Sequence, residues 1–369
     1  MYRHPDPSMA TASAGSALAV GTRPQARSLT RLHHLLDLGQ GFAPNYQGEM
    51  SNHLPMALHA AWELGADARR LQAQFDHDAP RLETVAAGAP PAPRNPKLPW
   101  DWTALRGHTA AYGVLRAGFE DALSHDAPQA VLRRVLPELL RGLHAFAFHG
   151  LIRTAHAWES GHRGELASAL ATWAAWWEVL PAGREVERRD RLDIAAWARL
   201  LRERSAGWSS TQGMIMRRIH EATRTALFDA MAERLVLADD LALQRERMLE
   251  LAREAYLHSG NFTLLHLITG LRALRVLLPL AGPLDAPQEV ALQGALARAA
   301  VAAWMAGRVQ WVAEAPASTS LSWAELRPLA LAQFDDHAIK LVHACWQEDQ
   351  RRPDPKWRAV AALVLKAPG

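Results

Sequence analysis

The chain has 369 residues, 49% hydrophobic and 21% charged, with 41 Lys and Arg against 38 Asp and Glu for a formal net charge of +3. That balance belongs to a folded globular protein and excludes disorder as the main state. Arginines lie scattered among acids, as in "RRLQAQFDHD" and "LRERSAG", which is a solvated surface pattern and not a phosphate-tracking stripe, so nucleic acid is not expected as a partner.

Residues 1–28 are rich in Ser, Ala, Gly and Pro, lack the apolar run of a secretory signal, and are predicted to be a mobile arm. From residue 29 to 369 the 3.6-residue period dominates and alternating β-branched runs are scarce, which predicts one irregular all-α, multi-helix domain around a central buried site. "SNHLPMALHAAWELGA" predicts a helix beginning near Pro55 with Ser51 or Asn52 as its cap, which sets His53 at the helix mouth. "AAGAPPAPRNPKLPWDW", residues 86–102, breaks the pattern. "PQAVLRRVLPELLRGLHAFAFHGLIRTAHAWES" resumes it and carries His149 among Phe148, Leu151 and Ile152, with Arg153 one turn on. His144 and His156 lie five and seven residues away, so only His156 can share the face of His149.

The periodic "ELASALATWAAWWEVL" follows, then breaks at residues 180–190 and 204–213. In "SGNFTLLHLITGLRAL", Asn261 is a cap, His266 lies among leucines, and Gly270 permits close approach of a backbone or a ligand. The apolar run "NFTLLHLITGLRALRVLLPLAGPL" is interrupted by Arg272 and Arg275 and is not expected to span a membrane. After a break at 278–287 and the helical "EVALQGALARAAVAAWMAGRVQWVAEA", the segment "FDDHAIKLVHACW" sets His337 and Lys340 three positions apart on a face that should be partly buried. Asp335 and Asp336 precede them as acceptors for an imidazole N–H. Its Cys345, the single cysteine, cannot form an internal disulfide, which fits a reducing compartment and a cytoplasmic location.

Phosphate-loop, dinucleotide, zinc-protease and serine-hydrolase signatures are missing, so chemistry falls to the 17 histidines. His53, His149, His266 and His337 sit on four separate apolar helices. Converging imidazoles from facing helices are how bundles build metal sites, although each residue taken singly is as well read as a hydrogen-bonded core histidine. A buried Lys340 has two ordinary fates, snorkelling to solvent or pairing with Asp336. Trp158, Trp173, Trp176 and Trp177 are able to stack a planar molecule, or simply to fill core.

"NYQGEMSNHLPMALHAAWELGA", "HAFAFHGLIRTAHA", "FTLLHLITGLRAL" and "FDDHAIKLVHA" resemble the recurring blocks of the questin oxidase-like family in order and spacing, over about residues 32–346. The resemblance implies an oxidative tailoring enzyme of anthraquinone-type polyketides, either an NADPH-dependent Baeyer–Villiger-type oxidase or a ring-cleaving oxygenase. In one branch it implies a mononuclear non-haem iron held by four histidines and a carboxylated lysine. The implied ligands here are His53, His149, His266 and His337, with Lys340 as the modified residue; His343, His59, His156 and His258 are rivals. Burial favours the neutral amine that adds carbon dioxide, and imidazoles with one oxygen anion suit Fe(II). Tyr46 and Asn45 are expected to line the same pocket, and Arg153 to orient a phenolate or carboxylate. The expected activity is oxidation or cleavage of a planar aromatic substrate with dioxygen; NADPH rests on resemblance alone. A metal-free NADPH-dependent oxidase and a non-enzymatic helical binding protein are the alternatives.

Overall fold

The computed structural model describes residues 23–85, 101–238, 240–312 and 318–367. The arm expected over 1–28 therefore lies outside the described residues as far as residue 22, and from Arg23 the chain is already helical. The break at 86–102 likewise lies outside them except for its last two residues.

Sixteen α-helices and one short hairpin make up the described chain, an all-α fold. Helix α1 (Arg23–Gly39) leads into strands β1 (Asn45–Tyr46) and β2 (Met50–Ser51), then α2 (Leu54–Glu63) and α3 (Ala68–Asp78). Next come α4 (Tyr112–His125), α5 (Pro128–Leu139), α6 (His149–Ser160) and α7 (Arg163–Ala175). A looser section holds α8 (Ile194–Ser205), α9 (Ile215–Ala222) and α10 (Ala226–Met231). The chain closes with α11 (Leu241–Leu257), α12 (Phe262–Leu277), α13 (Ala286–Gly307), α14 (Trp323–Leu331), α15 (Asp336–Arg351) and α16 (Pro355–Leu365).

Four of these helices form a ring of neighbours: α2 packs on α6, α6 on α12, α12 on α15, and α15 back on α2. Their sequences explain the central position. In α2 every residue from Leu54 to Ala61 is buried, and α12 is buried on nearly all sides, the condition of a helix apolar all round. Outer helices such as α1 and α3 keep one polar face and pack on α2 of the ring. By length and composition Phe262–Ala281 and α13 are able to cross a membrane, yet 72% and 67% of those stretches are buried in the protein, as core helices are. The arginines that interrupt the first run are ion-paired, Arg272 with Glu159 at 2.6 Å and Arg275 with Glu348 at 2.8 Å.

One departure from the sequence pattern matters for the site. The periodic stretch 128–160 is not one helix: it breaks after α5 into a turn in which Phe146, Ala147 and Phe148 all take positive φ, at 55°, 55° and 67°. Three consecutive non-glycine residues in the left-handed region carry roughly 1–2 kcal/mol of strain each, which the surrounding packing must offset. The turn is seated by Gly270 of α12, where the Phe148 ring lies so close that an added Cβ would stand 3.0 Å from it. The close approach expected at Gly270 is thus made by a side chain, not by a backbone or ligand.

Candidate metal centre

Each helix of the ring delivers one of the four expected histidines. His53 occupies the N-cap position of α2, but its side chain makes no cap bond; Asn52 Oδ1 takes the Leu54 N–H instead, at 3.1 Å. His149 opens α6 directly after the left-handed turn, His266 lies one turn into α12, and His337 is the second residue of α15. Neighbouring rings stand 4.5 to 5.2 Å apart: His53 to His149 4.7 Å, His53 to His337 4.5 Å, His149 to His266 5.0 Å and His266 to His337 5.2 Å. Two imidazoles bound to one ion at about 2.0–2.1 Å hold their ring centres about 5 Å apart, so the spacing fits a shared cation. Ligand atoms of His53, His149 and His337 lie within 4.8 Å of one another.

Hydrogen-bond chemistry then fixes which nitrogen faces inward. His149 Nδ1 is 2.5 Å from the Phe146 carbonyl and His266 Nδ1 is 2.9 Å from the Phe262 carbonyl. A carbonyl only accepts, so in both rings Nδ1 carries the proton and Nε2 is a bare lone pair. Asp336 Oδ1 plays the same part for the other two rings, 3.0 Å from His53 Nδ1 and 2.9 Å from His337 Nδ1. None of these contacts points squarely along a hydrogen-bond direction, and the oxygen has no well-aligned donor among the described residues. The attraction is that of a carboxylate for the N–H end of a neutral imidazole, and it favours the Nδ1–H tautomer in both rings. Yet His53 Nε2 and His149 Nε2 approach to 2.7 Å. With His53 in that tautomer two lone pairs meet at this distance, and a shared metal ion or a proton relieves them.

Electrostatics speaks against the proton. Burial pushes His53 down to about 3, reinforced by the positive charge of Lys340, and burial together with His53, His266 and Lys340 holds His149 well below the ordinary imidazole value. His266 is lowered in the same way, by burial first and then by His337 and Lys340. Asp336 is opposed by burial, but His53, Lys340 and His337 hold it well below the carboxylate range, so it stays ionised.

Lys340 does not reach solvent. It is 3% exposed, and Nζ stands 3.3 Å from Asp336 Oδ1, one turn away. Burial pushes its amine down, while Asp336 pulls it back. Asp335, expected as a further acceptor, instead caps α15 through the N–H groups of His337 and Ala338.

The rivals separate cleanly. His343, His59 and His156 form a second cluster, and His258 lies apart, stacked on Trp311 at 4.2 Å with Nδ1 on the Val312 carbonyl. Arg153 is not free for a substrate: its buried guanidinium is held bidentately by Glu165 at 2.6 and 2.9 Å. Asn45 bonds the Gly48 carbonyl within the β1–β2 turn and so shapes the hairpin, while its neighbour Tyr46 does reach the cavity.

That cavity, about 880 Å³, opens over His53, His149, His266 and His337. Its walls carry Phe146 and Trp176, stacked at 4.9 Å, with Trp177, Met214 and Met216. Trp173 is core, its indole N–H on the Gly142 carbonyl at 3.0 Å, and Trp158 packs against the core as well. Tyr46 hangs over the site with its hydroxyl pushed up by partial burial, opposed by Arg81 and aided by Asp336. Asp336, expected as an acceptor, faces two imidazoles, of His53 and His337, and the convergence of His59, His156 and His343 escaped the reading of the sequence. The signal was there in the repeat of histidines six or seven residues apart on three helices: 53 and 59, 149 and 156, 337 and 343.

Fold and site together define an all-α small-molecule protein, with imidazoles gathered at the floor of an aromatic-walled cavity. The sequence profile described as questin oxidase-like matches residues 50–345, and the chain belongs to that family. No curated protein matches it. Membership points to an oxidase acting on a small molecule of the polyketide or anthraquinone kind.

Proposed function

We propose that the chain is an oxygenase that oxidises or cleaves a planar, quinone-type aromatic with dioxygen at a mononuclear ferrous site held by His53, His149, His266 and His337. The observation that carries the reading is the 2.7 Å approach of two Nε2 atoms whose Nδ1 partners leave both as lone pairs. Four neutral imidazoles and an oxygen anion form a donor set suited to ferrous iron. When bound there, iron supplies the redox chemistry toward dioxygen and a Lewis-acidic position for a substrate oxygen.

The protein's own groups do the rest. The Phe146 and Phe262 carbonyls and Asp336 fix all four rings with Nε2 inward. Phe146 and Trp176 offer a flat surface for a planar ring, and Tyr46, kept protonated, donates its O–H to a phenolic or quinone oxygen of the substrate. For the oxygen ligand we keep Lys340. Burial lowers the Lys340 amine against the pull of Asp336, and in its neutral form Nζ would add carbon dioxide and release one proton, giving a carbamate on a long stem.

Anaerobically purified protein loaded with ferrous salt is expected to consume dioxygen when a hydroxyanthraquinone is added, and His149→Ala to abolish that uptake. Uptake that survives metal removal and depends on NADPH overturns the reading in favour of a metal-free oxidase. Binding of the anthraquinone without uptake in either form leaves a binding protein.

A further inference from the structure

Six or seven residues beyond the first set, three of the ring helices carry a second histidine, and these converge too. His59 and His156 bring their Nδ1 atoms to 2.8 Å, and the His343 ring stands 5.8 Å from His59 and 5.3 Å from His156. The His59 and His156 rings are 5.1 Å apart. Ligand atoms of His59, His156 and Glu159 fall within 4.8 Å of one another. All three rings are sealed from solvent, at 1%, 4% and 0% exposure.

The polar accounting at this spot does not close within the protein. Both ring nitrogens of His343, Nε2 of His59 and Oε2 of Glu159 are buried and have no partner among the described residues. A buried polar atom left unpaired costs about 1–3 kcal/mol, so four together call for an occupant. Charge points to the sign of that occupant. The nearby Arg272 is bound through Nε and Nη2 by Gln347 and Glu159 Oε1, with its Nη1 unpaired among the described residues. Glu159 Oε2, the oxygen that the arginine leaves without a partner, supplies the negative charge a cation needs.

We propose that His59, His156, His343 and Glu159 hold a second metal ion, a first-row divalent cation such as zinc, in a closed site between α2, α6 and α15. Three imidazole nitrogens and one carboxylate oxygen complete a four-coordinate set, the form of a structural site with no open position. The ion clamps the three helices below the first cluster, and Lys340, whose charge is felt by both His149 and His156, stands between the two. This proposal does not depend on what the first cluster holds or on the reaction performed there.

Elemental analysis after dialysis against zinc or cobalt chloride is the test, with cobalt absorption as a second readout. The intact chain is expected to bind two ions, His149→Ala to keep one of them with the spectrum of a four-coordinate nitrogen-rich site, and His343→Ala to lose that spectrum. Should His343→Ala fail to fold, Glu159→Gln keeps the volume and is expected to weaken this ion at least about tenfold while leaving the first in place. One ion per chain with a cobalt spectrum indifferent to both changes overturns the proposal and assigns the spot to hydrogen-bonded water.

Discussion

At the residue scale, the question at Lys340 is whether a carbamate on its Nζ provides the oxygen donor. Lys340→Met is expected to lower metal affinity at least about tenfold, and Lys340→Arg likewise, because guanidinium stays protonated and forms no carbamate. Full retention of metal in Lys340→Met, read by elemental analysis, would show that the ion takes no oxygen from Lys340. Glu178 at the cavity rim gives a pH prediction. Burial opposes its ionisation, but hydrogen bonds and charge from His144 and His220 hold it at about 2, and the same bond raises His220. A carboxylate with a lowered folded value contributes stability above its unfolded value near 4.5 and loses it as pH falls toward 2. A histidine with a raised value contributes below 6.5 and loses it as pH rises through the folded value. The thermal midpoint of Glu178→Gln is therefore expected to trail wild type most between about pH 4.5 and 6.5 and to converge with it in stronger acid. A gap of the same size from about pH 8 down to about pH 3 would sink the assignment. Both side chains are partly exposed, so the effect should be modest and should shrink in salt.

At the element scale, the left-handed turn before α6 is the device that aims His149. Its strain is legible only in three dimensions, since "HAFAFHG" reads as helical continuation. Ala147→Gly is expected to raise the thermal midpoint by relieving strain worth up to about 1 kcal/mol, whereas Ala147→Val should lower it, because a β-branched residue tolerates positive φ poorly. Gly150, one residue past His149, faces Trp173 so closely that a Cβ would stand 2.6 Å from its Cγ. Gly150→Ala should therefore destabilise by about 1–3 kcal/mol, the range for overpacking a core, and shift the His149 ring with α6. Denaturant midpoints check both. By contrast the caps were legible: Asn261 accepts the N–H groups of Thr263 and Leu264 as its place before an apolar run implied.

For the whole molecule, the ion proposed for the closed ring of four helices, each with one histidine, would make ion binding part of folding. A ligand that binds only the native state stabilises it by about 2.7 kcal/mol at a hundred times its dissociation constant, so the thermal midpoint should climb with added divalent metal and fall with a chelator. An unchanged midpoint in calorimetry would show that the ring closes without help. Helical class, the apolar settings of His53, His149, His266 and His337, and a partly buried face for Lys340 followed from the sequence, because a 3.6-residue period and apolar neighbours are local properties that the chain carries wherever it folds. Which histidines meet was decided elsewhere. His337 and His343 lie on one helix with equal claims by spacing, and only the packing of α15 against α2 and α6 sends one to the cavity floor and the other to the sealed cluster behind it. Arg153 was lost to Glu165 and Asp336 gained two imidazoles for the same reason: partners far apart in sequence are chosen by the tertiary arrangement, which local pattern does not encode.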